Sequence, residues 1–149
     1  MRLVIQRILS GQISVAGQMI AKTNQSLAVF VGIEKDDSEQ ELLLSAKKID
    51  GLRVFEDDAG KMNLSLPKEL PLLMIPQFTL LGSLHRGFRP DFTQAETPEK
   101  AKAMYEKLLH VLKQDYHRTI ESGQFAADME VQLTINGPVT LIFDTRRNA

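Results

Sequence analysis

The chain has 149 residues, a formal charge of −1 and no cysteine. That length suits one domain with a single well-buried core, and a charge near zero supplies no field to hold a long run of nucleic acid. The missing thiols exclude disulfides, thiolate nucleophiles and zinc sites built on sulfur.

In chain order, Leu3 to Ile8, Gln12 to Val15, Met19 to Lys22 and Leu27 to Ile33 read as strands. Ala16-Gly17 suits a tight hairpin between the second and third. Leu27 to Ile33 is also the longest strongly apolar run. It falls far short of the roughly 18 residues of a membrane helix, and the start meets Arg2 and Arg7 too early for a secretory signal, so a cytoplasmic protein with no membrane partner is expected. Ser38 stands three residues before Glu41, the spacing of a capping box. Leu42, Leu43, Ala46 and Ile49 then recur at helical spacing, with Gly51 to end the helix. Leu52 to Phe55 and Met62 to Leu64 flank the polar turn 56–61, which lacks the alternating ligands of a calcium loop and reads as a solvated hairpin turn.

Leu70 to Leu80 is apolar enough for a buried central strand. Pro76 cannot donate to a ladder, which places that strand at an edge or bulges it there, beside the polar pair Gln77 and Thr79. The stretch 81–93, with Gly82, Gly87 and Pro90, reads as a loop. Thr97-Pro98-Glu99 starts a second helix, with Pro98 at its first position. Ala101, Met104, Tyr105, Leu108, Leu109 and Leu112 form its buried stripe, and it is expected to run to about Tyr116. Met129 to Ile135 and Val139 to Asp144 are β-type runs around Asn136-Gly137-Pro138. Asn-Gly signals a turn, yet the following proline forbids an ordinary two-residue hairpin and admits a cis bond. The fold class is therefore α+β: mainly antiparallel sheet with two main helices.

Chemistry is harder to find. Neither common phosphate-cradling glycine loop is present. His85, His110 and His117 make no metal pair on one helix turn, and only His85 lies in the loop beside the candidate site. No serine occupies a nucleophile elbow. Thr79 is the most suggestive hydroxyl, although a threonine in a strand is usually just a good β-former. No cofactor or metal is expected.

Gln77-Phe78-Thr79-Leu80 and Asn136-Gly137-Pro138-Val139-Thr140 are similar to the two signature motifs, SQFTL and NxPVT, of D-aminoacyl-tRNA deacylases. The resemblance extends through Val4-Ile5-Gln6-Arg7, the runs 31–35, 53–57 and 60–65, then Gly87, Arg89-Pro90, Phe92, and the run 123–129. It implies a barrel-like core and a homodimer acting on the 3′ acceptor end of aminoacyl-tRNA, not on DNA, and freeing D-amino acids. Gly137-Pro138 of one subunit, joined by a cis bond, would enter the other subunit's pocket and leave room for a D but not an L side chain. It further implies that Arg7 orients that elbow and that Phe78 and Thr79 offer backbone N–H groups to the ester oxygen. Gln77 would stand beside them. The 2′-hydroxyl of the terminal adenosine would help to place water, so an absent triad is expected. Met129 and Pro76 would bound the substrate, and Phe125, Arg86 and Arg89 would contact the tRNA end.

Two departures stand out. Pro76 replaces the family serine, as in a paralogous animal subfamily, with a motif resembling PQATL, that removes L-alanine from a mischarged tRNA. Phe78, Arg7 and the intact 136–140 segment match the stereospecific enzymes instead. The loop 81–89 is less polar and less basic than in the family. A rival reading, a module that binds D-aminoacyl groups or tRNA ends without turnover, follows from likeness to an editing domain of some threonyl-tRNA synthetases.

Overall fold

A computed structural model describes residues 1–85 and 87–147. The first two expected strands are one, β1 (Arg2–Val15). Gly11 falls in the gap between those two expected strands. It is needed because a Cβ there would lie 2.7 Å from Leu73 Cδ2 and 2.9 Å from Leu133 Cδ2, a close approach that favours glycine inside a strand. The chain then turns at Ala16-Gly17, both with positive φ (48° and 77°), into β2 (Gln18–Thr23) and on to β3 (Ser26–Gly32). Two φ > 0 positions match the twist of a hairpin.

Helix α1 (Glu39–Gly51) opens on the expected capping box, Ser38 with Glu41, and buries Leu42, Ala46 and Ile49. Strands β4 (Arg53–Glu56) and β5 (Met62–Ser65) form the expected hairpin as a separate two-stranded sheet. Strand β6 (Leu72–Pro76) follows. It lies between β3 and the short β7 (Ile120–Ser122), parallel to both, so the expected edge position for the Pro76 strand is corrected. Its pairing with β7 ends at Met74 opposite Ser122, and the next donor, Gln77 N–H, bonds back to Val31 O at 2.8 Å. Alternate N–H groups point to opposite sides, so the missing Pro76 donor falls on the side where the ladder has already stopped.

Helix α2 (Pro98–Gln114) buries Ala101, Tyr105, Leu108, Val111 and Leu112 and ends two residues short of Tyr116. Strand β8 (Met129–Asp144) runs antiparallel to β1 along nearly its whole length. The main sheet has the order β2-β1-β3-β6-β7, with β8 against the other side of β1, and β2 curls back towards β7. The expected antiparallel, barrel-like character thus holds, with parallel pairs added at β6. Period-2 alternation splits the core in two. Leu27, Val29, Val31, Leu72 and Met74 face the helices, whereas Ala28, Leu73 and Ile75 join Ile8 and Ile13 inside the curl, with Met129, Val131 and Leu133 alongside.

Candidate active site

At the C-terminal end of β6 a cleft of about 540 Å³ opens. Pro76, Gln77 and Phe78 form one wall, and Glu96, Pro98 and Ala101, at and before the start of α2, form another. Residues 125–128, with Met129 and Val131 of β8, close it. Behind Phe125 the ring of Tyr105 lies 6.2 Å away. Burial pushes the Tyr105 hydroxyl well up from its ordinary value, against the opposing hydrogen bond with Ser122 Oγ at 2.9 Å, so it stays protonated. At the rim, the Thr97 N–H donates to Glu96 at 2.7 Å and holds this carboxylate below the usual range. A glutamate so disposed is ionised at neutral pH, whereas a general acid needs a raised pKa.

Beyond Pro76 the chain leaves the sheet. Phe78–Leu81 form a 3-10 turn, which corrects the strand expected through Leu80. Thr79 is exposed and accepts a hydrogen bond from Gln77 Nε2, so it is no strand residue chosen for β propensity. The first internal bond, Leu80 N–H to Gln77 O, spans 3.3 Å. The N–H groups of Phe78 and Thr79 stand ahead of it, at the end of a helical turn where donors have no partner within the turn. Two contacts fix the turn. Arg2 donates to Leu80 O at 2.6 Å while its guanidinium grips Asp144 at 3.1 Å. Gly32 lies beneath, where a Cβ would meet Leu80 Cβ at 3.1 Å and Gln77 O at 3.2 Å.

The segment 136–139 does not reverse the chain, which corrects the expected turn between two strands. Thr140 pairs with Gln6 and Ile135 with Ile8, so five steps of β8 stand against two of β1 and the surplus projects as a bulged elbow. Gly137 has φ +123° and its bond to Pro138 is cis; both residues are exposed. Arg7, only 7% exposed, donates from Nε to Asn136 O at 3.3 Å and from Nη1 to Val54 O at 2.7 Å. Its Nη2 lies 3.9 Å from Glu56. The elbow is thereby tied to β4.

Of the residues singled out from the sequence, Pro76, Gln77, Phe78, Met129 and Phe125 meet at the cleft. Thr79 lies on its turn, and Arg7, Gly137 and Pro138 form a second group away from it. Arg89 is exposed in the loop after the 3-10 turn. Arg86 lies outside the described residues. The contributions of Ala101 and Val131 carried no sequence signal beyond apolar periodicity, and Pro98 signalled only a helix start. Among the described residues no group of three His, Asp or Glu is placed to share a metal ion.

A curled α+β sheet with two helices on one face and a largely apolar cleft at the end of β6 defines the class. The sequence matches the family described as D-Tyr-tRNA(Tyr) deacylase over residues 4–144. It is 46% identical to a D-aminoacyl-tRNA deacylase of Dictyoglomus turgidum, covering 97% of this chain and 93% of that one. It is 43% identical to one of Kosmotoga olearia, covering 99% of each. A solved structure titled c-Myc DNA Unwinding Element Binding Protein superposes with a TM-score of 0.90 at 35% identity, over 97% and 98% of the two chains. The chain belongs to the D-Tyr-tRNA(Tyr) deacylase family.

Proposed function

We propose that the protein hydrolyses D-aminoacyl-tRNA to free D-amino acid and tRNA, a chiral proofreading activity in the cytoplasm. The observation that carries this reading is the cleft ending at the 3-10 turn of residues 78–81, in a chain 43% identical to a named deacylase over 99% of its length. Water adds to the ester carbonyl carbon. The N–H groups of Phe78 and Thr79 receive the negative charge that grows on the carbonyl oxygen. The bond to the ribose 3′-oxygen then breaks, and that oxygen takes a proton. An aminoacyl ester is activated already, so positioning and charge stabilisation suffice, with the neighbouring 2′-hydroxyl placing the water.

Selection between enantiomers falls to the elbow. Gly137 and Pro138 are not among the residues lining the cleft of their own chain, so they serve a cleft only in a second copy. Strand β8 offers a surface for that copy: among the described residues it pairs with β1 alone, and it exposes Ile135 and Leu141, an apolar edge of the kind that pairs or is covered. Main-chain carbonyls of the elbow hold the α-amino group and leave no room for an L side chain. Glycine has no side chain to exclude, so glycyl-tRNA is a second substrate.

Pro76 on the cleft wall favours one further reading, a relaxed enzyme that also removes L-alanine. Incubation of the protein with D-tyrosyl-, L-tyrosyl-, glycyl- and L-alanyl-tRNA separates the possibilities. Release from the first and third alone supports the proposal. Release of L-alanine supports the relaxed reading, and binding without release supports a module that captures tRNA ends.

A further inference from the structure

Between the 3-10 turn and α2 the chain makes an excursion whose base is pinned by two backbone hydrogen bonds, Ser83 N–H to Asp91 O at 2.8 Å and Asp91 N–H to Ser83 O at 2.9 Å. The base is tied to the cleft. Phe92 meets the ring of Phe78 edge-on with centroids 5.2 Å apart, and Gly82 lets that ring approach, since a Cβ there would lie 2.9 Å from Phe92 Cε1. Past this joint the chain exposes large apolar side chains: Leu84 is 67% exposed and Phe88 fully so, and at the joint itself Phe78 is 56% exposed. Arg89 follows directly and is also exposed.

Apolar side chains in water cost free energy, and a fully exposed phenylalanine beside an arginine has chemistry that suits a nucleobase with its phosphate. Unpaired bases of single-stranded RNA are recognised by stacking on aromatic rings and guanidinium planes. We infer that Phe88, with Leu84 and Arg89, forms a docking platform for the unpaired nucleotides that precede the terminal nucleotide of the acceptor end. This rests on the tRNA reading above and deepens it. The occupant follows from continuity: a strand whose last nucleotide enters the cleft past Phe78 has its preceding nucleotides outside the cleft on that side, to which the Phe78–Phe92 contact joins the base of this excursion. A near-neutral chain binds such an end by stacking more than by charge, so Phe88 and Arg89 make separable contributions.

The test compares D-tyrosyl-tRNA with 3′-O-D-tyrosyl-adenosine, which lacks the preceding nucleotides, for wild type, Phe88→Ala, Phe88→Trp and Arg89→Ala. Phe88→Ala is expected to raise KM for the tRNA about ten-fold or more, at least ten times its effect on the adenosine ester, and Phe88→Trp to restore it. Titration of an uncharged ACCA tetranucleotide over a salt series gives the second readout. Phe88→Ala weakens binding with little change in the slope of log K against log salt, whereas Arg89→Ala lowers that slope by about one phosphate contact. Equal losses on both esters would overturn the inference, as would no loss. So would a Phe88→Ala variant that changes only the monomer–dimer balance, which would assign the ring to a second copy. A wild type that binds the tetranucleotide through Phe88 yet hydrolyses neither ester would refute the enzymatic reading and leave the platform standing. Failure to bind the tetranucleotide, with hydrolysis intact, would do the reverse.

Discussion

Gly32→Ala tests whether the 3-10 turn of residues 78–81 is the working surface. The added methyl would press into Leu81 Cδ2 and stand 3.1 Å from Leu80 Cβ and 3.2 Å from Gln77 O. Leu81 is 2% exposed, but its Cδ2 is the end of a flexible side chain, whereas Gln77 O is backbone and accepts the first hydrogen bond of the turn. The turn must therefore give by a few tenths of an ångström against β3. Overpacking of this kind costs about 1–3 kcal/mol, which for a domain of this size lowers Tm by roughly 2–12 °C. The rate falls as well. A shift of about 1 Å in groups that hold a reacting ester reduces turnover on the order of 100-fold, so a shift of a few tenths of an ångström should lower kcat on D-tyrosyl-tRNA roughly 3- to 10-fold. Thermal denaturation and single-turnover deacylation measure the two. Native kcat in a variant with a lowered Tm would show that the turn tolerates displacement, and the role given to the Phe78 and Thr79 N–H groups would then be wrong.

Arg7→Ala removes charged hydrogen bonds to Asn136 O and Val54 O. At about 1.5–3 kcal/mol for such a bond, the ratio of D- to L-tyrosyl-tRNA hydrolysis should drop roughly 10- to 100-fold, and an unchanged ratio would detach Arg7 from selection. Ser38→Ala breaks the capping box of α1 and should cost about 1 kcal/mol in urea denaturation with activity retained. Acid stability has a definite sign. Burial alone would raise the Asp50 carboxyl, but hydrogen bonds from Lys68 and Arg118 outweigh it and hold it below the usual aspartate range. Asp144 is likewise lowered against burial by the Arg146 N–H and the Arg2 guanidinium. A depressed folded-state pKa gives stability that is full above the ordinary aspartate value of about 3.9 and lost as pH falls through the lower folded values. Asp50→Asn and Asp144→Asn should therefore be less stable than wild type at neutral pH, with the difference shrinking below about pH 4; a constant gap would contradict the assignment.

Both helices were legible because their signals are local. Ser38 with Glu41 and Pro98 after Thr97 act within one turn. The hairpin at Ala16-Gly17 was legible for the same reason. Strand connectivity was not, since it depends on partners far along the chain. Gly11 falls in a gap between expected strands until Leu73 and Leu133 are seen to need the space, and Asn136-Gly137 reads as a reversal until β1 is seen to pair on both sides of it. Pro76 suggested an edge because a lost ladder donor is the only local clue, whereas the three-residue β7 had already ended beside it. The same limit governs the site. The run from Pro76 to Thr79 drew notice by breaking regularity, but Ala101 and Val131 look like any core residues until tertiary packing sets them around a cleft. Phe78 and Thr79 read as strand residues, whereas the chain turns there: Phe78 lines the cleft and Thr79 follows on the 3-10 turn.

Mixed dimers test most directly the claim that one protomer's elbow selects for its partner's cleft. Met129→Trp fills the cleft, and Gly137→Val alters the elbow at a position of φ +123° whose Cβ would lie 3.0 Å from Val139 and 3.1 Å from Arg7. Each variant alone should lack D-selective hydrolysis. When the two are co-expressed and exchanged, half the clefts of a mixed dimer pair an intact pocket with an intact elbow, so D-selective activity should return. No recovery in a verified mixed dimer would contradict the account, as would full selectivity in an isolated protomer.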